Sequence, residues 1–465
     1  MSTKTFTIHE ALYSNRSPKT LIAVNGDTQY HLYDLQLHVK SLAVYMQVTK
    51  YKSFAICVED TYLFLMGLLA CFYAHKTPVL VGQYRSDLGK RDHGLFDAIL
   101  TDSDELKGCE LPSFNVKEIL NACPPRPLNE IPEVNKDATL TPVLSETTKV
   151  VFYTSGSTGK AKRIEKTVLN LEKDIRHLAN LTSSIENIEN VVFTATVAPY
   201  HLYGITFRVF LPFLRGYVFD TRLIRYSEEL CENFKDKNSV LISSPAFLGH
   251  IDTNLKSPKI FFTLSAGSPL SKEVAQKYYN WSNCAVTEIY GSTETSFMAH
   301  RANPLEELFT PFDEVFFKEM SSSLYVFSPL IDKKHKLDDK IEFVGDKFKV
   351  LGREDRVVKI ADNRVSLTLI EKVIKENDLV SDCMALPIEM GTRTVVGVVI
   401  EAKKDLYDNL QSMRHDFVKE LKLKLKDHVI AVAIPRKFRF VEKMPVNSMG
   451  KKLVGTLKEL FNQKG

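Results

Sequence analysis

The sequence predicts an α/β protein: a large N-terminal part built of α/β units, followed by a smaller α+β C-terminal part. Two observations carry this expectation. Short β-branched runs alternate with helical patterns through most of the first three hundred residues, the signature of parallel strands joined by crossover helices. Composition then changes near residue 352. From Arg353 onward there are 22 Lys and Arg against 16 Asp and Glu, a formal +6, whereas the preceding chain carries 39 against 41. The total of 465 residues corresponds to about three domain-sized units.

Taken in order, the opening MSTKTFTIHEAL has no apolar core of a secretory signal, so a cytoplasmic location is expected. The apolar run 62–74, YLFLMGLLACFYA, is too short for a membrane span and reads as a buried helix. The strands are SFAICVE, TPVLVG, DAILT, KVVFY, NVVFTATV, SVLISS and KIFFTLSAG, with helices at 168–180 and 271–280. Residues 122–142, rich in Pro, Asn and Glu, read as a loop. The C-terminal part offers RVVKIADNRV, a helix at 366–377, the strand TVVGVVIE, a helix at 408–427 and a strand near 436–442. A net charge of +4 argues for neither nucleic acid nor membrane as a partner. Seven scattered cysteines without a CxxC pair read as reduced thiols, not as a disulfide frame or zinc site.

The chemistry-bearing segment is YTSGSTGKAKR, residues 153–163. Gly156 and Gly159 let backbone N–H groups approach a ligand, Ser155, Ser157 and Thr158 add donors, and Lys160 and Lys162 add positive charge. After a buried strand this is a phosphate cradle. It is not a Walker loop, because no glycine lies five residues before Gly159 and Ala161 follows Lys160. Alone, a Gly- and Ser-rich turn is more often an ordinary surface loop.

TSGSTGKAK closely resembles the phosphate loop of the adenylate-forming superfamily, which contains acyl- and aryl-CoA synthetases, adenylation domains and luciferases. Further resemblances follow in the family's order. PYHLYG (199–204) resembles the stretch beside the acyl pocket, SAGSPLS (265–271) the adenine-side turn, and YGSTET (290–295) the YGxTE motif. FVGD (343–346) resembles the TGD motif, GRED (352–355) the hinge, and MPVNSMGKKL (444–453) the terminal Gly-Lys motif.

The resemblance implies a 1–352 domain binding ATP and the acyl group, and a mobile 353–465 lid hinged at Asp355. It implies that Thr154, Ser155, Gly156, Ser157, Thr158 and Gly159 enclose ATP's outer phosphates, with Lys162 nearby. Ala266 and Gly267 would lie on the adenine side, and Tyr290, Gly291 and Ser292 would complete the nucleotide site. Thr293 would contact the α-phosphate and Glu294 would hold Mg²⁺. Asp346 would bind the ribose and Arg353 the ribose or phosphates, while His201 and Gly204 would line the acyl site. Lys451 would bridge carboxylate and phosphate oxygens during adenylation.

The implied activity is activation of a carboxylic acid, fatty or aromatic, to acyl-AMP with pyrophosphate release. Transfer to a thiol would follow, either CoA or the phosphopantetheine of an acyl carrier protein. The Phe-Asp stretch typical of amino-acid adenylation is replaced by PYHLYG, which points to an acid without an α-ammonium group. Three departures stand out: Ala161 for the usual Pro, Asp362 for Gly and Leu369 for Glu. Asp362 and Leu369 fall on the loop that borders the thiol tunnel in relatives. The alternatives are a nucleotide-binding module without turnover and, against the missing Walker pattern, a P-loop NTPase.

Overall fold

The computed structural model describes residues 5–13, 16–81, 94–106, 110–133, 140–141, 143–155, 161–321, 323–331, 334–353, 356–360, 363–390, 393–447, 450 and 452–462. Two large sheets form the N-terminal body. In the nine-stranded sheet, Val286–Ser292, Lys259–Ser265, Asn238–Ser243, Val191–Ala195, Val218–Leu223 and Leu21–Asn25 run parallel in that spatial order. Antiparallel strands close both edges. In the six-stranded sheet, Ser113–Asn115, Ala98–Thr101, Ser53–Cys57, Thr77–Leu80 and Lys149–Ser155 are parallel, and Ala161–Thr167 returns antiparallel at the edge.

The apolar run of the first hundred residues explains how the sheets are joined. Helix Thr61–Tyr73 is buried along its whole length. It shares one core with Phe54 and Ile56 of the smaller sheet and Phe193, Ala195 and Val240 of the larger. A helix with strands on both sides has no solvent face, so no polar stripe is needed. Asp60 caps it, accepting from the Leu63 N–H at 3.0 Å. Among the described residues no helix is long and apolar enough to cross a membrane. The six described cysteines are free, four of them buried.

The C-terminal unit has its own cores. Strands Val380–Met390 and Arg393–Ala402 pair antiparallel, and Lys437–Val441 adds parallel to the second. Side chains alternate between faces. Cys383, Ala385, Val396, Val398 and Ile400 pack under Ile370 and Ile374 of helix Leu367–Lys375 and Phe417, Leu421 and Leu425 of helix Leu410–Lys426. Met384, Leu386, Ile388 and Val399 face Leu457 and Phe461 on the other side. These cores draw on residues from Ile360 onward, while the hairpin Asp339–Val344/Lys347–Arg353 packs its Phe348 with Phe309 and Ala299 of the body. Along the chain, Val350 still packs on the body core and Val358 already packs on the C-terminal one.

Candidate active site

Strand Lys149–Ser155 is a buried parallel strand whose edge neighbour Ala161–Thr167 pairs it from Lys149↔Thr167 to Ser155↔Ala161. This hairpin brackets the expected phosphate cradle. Gly156, Ser157, Thr158 and Gly159 lie outside the described residues, as do the side chains of Thr154 and Ser155. The sequence reading did not anticipate the return strand, because AKRIEKT places two charged residues after each apolar one and lacks the two-residue alternation of a strand.

On that return strand Lys162 reaches Glu294, with Nζ 3.1 Å from Oε1. Glu294 sits in the turn between strands Val286–Ser292 and Ser296–Asn303. The turn is shaped by its own hydroxyls: the Ser292 N–H donates to Thr295 Oγ1 at 3.0 Å and the Thr295 N–H to Ser292 Oγ at 3.1 Å. Gly291 is obligatory, since a Cβ there would lie 2.2 Å from the Ser296 carbonyl oxygen. Burial alone would raise the Glu294 carboxyl; hydrogen bonds from Lys162, its own backbone N–H and Ser292, with the Lys162 charge, hold it below the usual range. Thr293 is half-buried beside it.

The donor set suits a nucleotide with a divalent cation. A hard carboxylate oxygen, a lysine cation and a glycine-opened turn converge here, and Mg²⁺ is commonly held by one or two carboxylates plus phosphate oxygens. Among the described residues no cluster of three potential metal-ligating His, Cys, Asp or Glu side chains occurs. A cation at Glu294 would therefore take its remaining oxygens from bound phosphate and water. The Ser265 hydroxyl, wholly buried at the end of strand Lys259–Ser265, has no partner among the described residues. It stands immediately before Ala266, which is buried, and Gly267, whose φ of +95° admits glycine readily.

The hairpin after residue 338 brings a second carboxylate into consideration. Tyr290 packs its ring against Phe309 and Phe348 and donates from its hydroxyl to Asp339 Oδ2 at 2.6 Å. Cross-strand register sets Asp339 opposite Arg353. Asp346, the expected ribose ligand, is exposed in the turn at the other end of strand Asp339–Val344. Five strand steps of about 3.3 Å put that turn roughly 17 Å away. FVGD matched the motif in letters, but the carboxylate brought beside Tyr290 is Asp339. The signal for it was the Asp338-Asp339 pair one hairpin length before Gly352-Arg353. The Arg353 side chain and Asp355 lie outside the described residues.

The PYHLYG segment leaves strand Val191–Ala195 and enters a buried helical stretch. Gly204 is held by close packing, since a Cβ would lie 2.0 Å from the Ala198 carbonyl oxygen. The His201 ring meets Tyr200 edge-on at 4.9 Å. Tyr203 is committed to structure: its hydroxyl donates to the Ser243 carbonyl at 3.0 Å, and burial pushes its ionisation well up. Downstream, Arg208 is buried and donates to Thr61 Oγ1 and the Val197 carbonyl, both at 2.7 Å. That guanidinium fixes the segment to the central helix.

In the terminal motif, Val446 and Lys452 bridge as an antiparallel pair. Lys452 Nζ lies 2.8 Å from Asp382 Oδ1 and 2.9 Å from the Cys383 carbonyl, so its charge is bound within the C-terminal unit. Lys451 lies outside the described residues. Gly450, with φ of +74°, rests on the body: a Cβ there would be 2.5 Å from Ala246 Cβ. Ala246 belongs to helix Pro245–Gly249, which begins where strand Asn238–Ser243 ends. Gly450 is therefore docked at the carboxyl ends of the parallel strands, where α/β proteins bind ligands. Of the departures, Leu369 is exposed on the first turn of its helix, and Asp362 lies outside the described residues.

Comparison with known proteins agrees with this architecture. The AMP-binding enzyme family matches residues 13–312, more than half of the chain. A 4-coumarate–CoA ligase of Cereibacter sphaeroides is 23% identical over 308 residues, 65% of this chain and 70% of that ligase. A D-alanine–D-alanyl carrier protein ligase of Staphylococcus haemolyticus is 26% identical over 136 residues, with only 27% of its length spanned. Among solved structures, a benzoate CoA ligase from Burkholderia xenovorans LB400 superposes with a TM-score of 0.71 at 16% identity, covering 98% of this chain and 99% of that one. An o-succinylbenzoate coenzyme A synthetase from Bacillus subtilis, in complex with AMP, gives 0.72 at 16% identity, covering 95% and 96%. These structures share the fold, a large N-terminal α/β domain and a smaller C-terminal one. With its phosphate-loop hairpin, its YGSTET turn and this match, the chain belongs to the AMP-binding enzyme family.

Proposed function

We propose that this protein uses ATP to activate a carboxylic acid without an α-ammonium group, and then transfers the acyl group to a thiol. The observation that carries the reading is the Lys162–Glu294 contact at 3.1 Å. It joins the strand leaving the phosphate loop to the YGSTET turn, at the end of the sheet where Gly450 docks. In the first step a carboxylate oxygen bonds to the α-phosphorus, and the bond to pyrophosphate breaks with its electron pair leaving on pyrophosphate. In the second, sulfur bonds to the acyl carbon and AMP departs with the electrons of the broken C–O bond.

The residues divide this work. Thr154, Ser155, Gly156, Ser157, Thr158, Gly159 and Lys162 hold the outer phosphates, Thr293 the α-phosphate, and Lys451 the oxygens that gain charge during displacement. Asp339, beside Tyr290 and opposite Arg353, takes the ribose in place of Asp346. Mg²⁺ held at Glu294 supplies neutralisation of phosphate charge. His201 and Gly204 shape the acyl side, and the unit from 353 onward moves about Asp355 as a lid. Transfer to a thiol is supported by the likeness to both a CoA ligase and carrier-protein ligases, and either thiol fits a basic C-terminal unit. The carrier-protein ligases are named for D-alanine, so the lack of an α-ammonium group rests on PYHLYG alone.

The test is pyrophosphate release with ATP and Mg²⁺ across short, medium and long fatty acids, benzoates, cinnamates and amino acids. Each acid is offered with CoA, with a carrier protein and with hydroxylamine. Acid-dependent release establishes adenylation, and the acceptor that accelerates it identifies the thiol. No release with any acid from protein that binds ATP would sink the reading in favour of a nucleotide-binding module.

A further inference from the structure

Behind the exposed Lys162–Glu294 contact lies a buried one. Lys166 stands four residues along the same strand, on the same face by two-residue alternation, and is almost fully buried. Its Nζ donates to Ser296 Oγ at 2.8 Å, and Ser296 Oγ donates to Asp174 Oδ2 at 3.1 Å. The directions are fixed by chemistry, since an ammonium only donates and a carboxylate only accepts. A hydroxyl is the smallest side chain that does both. Ser296 thus bridges the edge strand of the smaller sheet, the helix Val168–Leu178 that carries Asp174, and the first residue of strand Ser296–Asn303 in the larger sheet.

The bridged residue is strained. Ser296 has φ of +57°, a region costly for a residue with a Cβ and retained where the surroundings enforce it. Its carbonyl oxygen is the atom that demands glycine at 291, and it pairs with Ser292 across the turn. The Thr293–Glu294 turn is therefore closed by a residue that is hydrogen-bonded to two buried charged side chains. Buried ion pairs are poor sources of stability and are often matched by apolar replacements. Burial lifts Asp174 to about 6 despite the nearby Lys166 charge and the Ser296 hydrogen bond.

We propose that Lys166, Ser296 and Asp174 form a positioning relay that fixes the Thr293–Glu294 turn against the phosphate-loop hairpin for binding of the ATP phosphates. The inference rests on the ATP reading of the site given above. The test is the double variant Lys166→Met/Asp174→Leu, which removes both buried charges together, with Mg·ATP and adenosine affinities measured by calorimetry alongside thermal unfolding. Mg·ATP affinity should fall roughly 10–100-fold, with adenosine affinity and the unfolding midpoint near wild type. Ser296→Ala, which keeps both charges and deletes the bridge, should weaken Mg·ATP in the same selective way and serves if the double variant does not fold. Wild-type Mg·ATP affinity in a folded variant, or equal loss of adenosine and Mg·ATP, would overturn the relay alone. Failure of the wild-type chain to bind Mg·ATP would overturn the ATP reading itself.

Discussion

Lys162 Nζ lies 3.1 Å from Glu294 Oε1 although 132 residues separate them in the chain. Both side chains are partly exposed, so the pair adds little to stability, about 0.2–1 kcal/mol. Its consequence is electrostatic. Burial would raise the Glu294 carboxyl, but Lys162, the backbone N–H and Ser292 outweigh it and keep the group ionised into acid solution. A depressed carboxyl contributes its stability above the unfolded value and loses it only as pH falls through the folded one. Glu294→Gln should slow pyrophosphate release by about 10²–10³-fold with little change in unfolding midpoint. Lys162→Met should shift the acid limb of the kcat/KM profile to higher pH, which a pH series on both proteins measures. Chelation of Mg²⁺ should abolish release and readdition restore it.

Asp339 and Asp346 are separable by kinetics. Asp339 accepts the Tyr290 hydroxyl beside Arg353, while Asp346 is an exposed turn residue. Asp339→Asn should raise KM for ATP by roughly tenfold, the equivalent of about one charged hydrogen bond. Asp346→Asn should stay within about twofold, the usual range for an exposed position. The reverse ranking in steady-state assays would return the ribose role to Asp346.

The adjacent lysines of the terminal motif should behave oppositely. Lys451→Ala is expected to abolish acyl-AMP formation while thioester formation from supplied acyl-AMP survives. Lys452 is held by Asp382, so Lys452→Ala should cost about 1–2 kcal/mol of stability and spare adenylation. Burial pulls Asp382 up, yet Lys452 and Lys375 hold it below its ordinary range. That stabilisation exists above the unfolded value and fades as pH falls through the depressed one. Unfolding midpoints of the variant and wild type should therefore converge in acid. Equal loss of both half-reactions in Lys451→Ala would refute the division of labour.

Much of the fold was legible because its signals are local. Alternation, apolar runs and turn residues mark the parallel strands and the helix Thr61–Tyr73. Strands whose partners are distant in composition were not legible. Ala161–Thr167 and Val380–Met390 carry charges or sulfur residues where alternation is diluted. The site divides the same way. YGSTET declares itself by letters, and Glu294 follows. Asp339 needed the hairpin register, and Lys166 read as one more cation in AKRIEK until the fold set it beside Ser296 and Asp174. Carboxylates and lysines look alike in sequence whether solvated or buried; burial distinguishes them, and burial is a property of tertiary packing.

Gly450 and Ala246 give the most direct handle on docking of the C-terminal unit. At φ of +74° a side chain is disfavoured, and a Cβ at 450 would meet Ala246 Cβ at 2.5 Å, well inside contact distance. Gly450→Ala therefore carries a backbone cost of about 1–2 kcal/mol and a steric one at the interface. If docking on helix Pro245–Gly249 brings the terminal motif to the site, the variant should lose pyrophosphate release by at least about tenfold. Thioester formation from supplied acyl-AMP, in which the proposed division of labour gives Lys451 no part, should be nearly unaffected. Ala246→Gly removes the opposing methyl and relieves only the steric part. The pair Gly450→Ala/Ala246→Gly should thus recover part of the adenylation lost, while Ala246→Gly alone stays close to wild type. Rates of the two half-reactions in the four proteins make a double-mutant cycle. Strict additivity would mean that the two residues do not meet during catalysis, and that the docked arrangement is not the adenylating one.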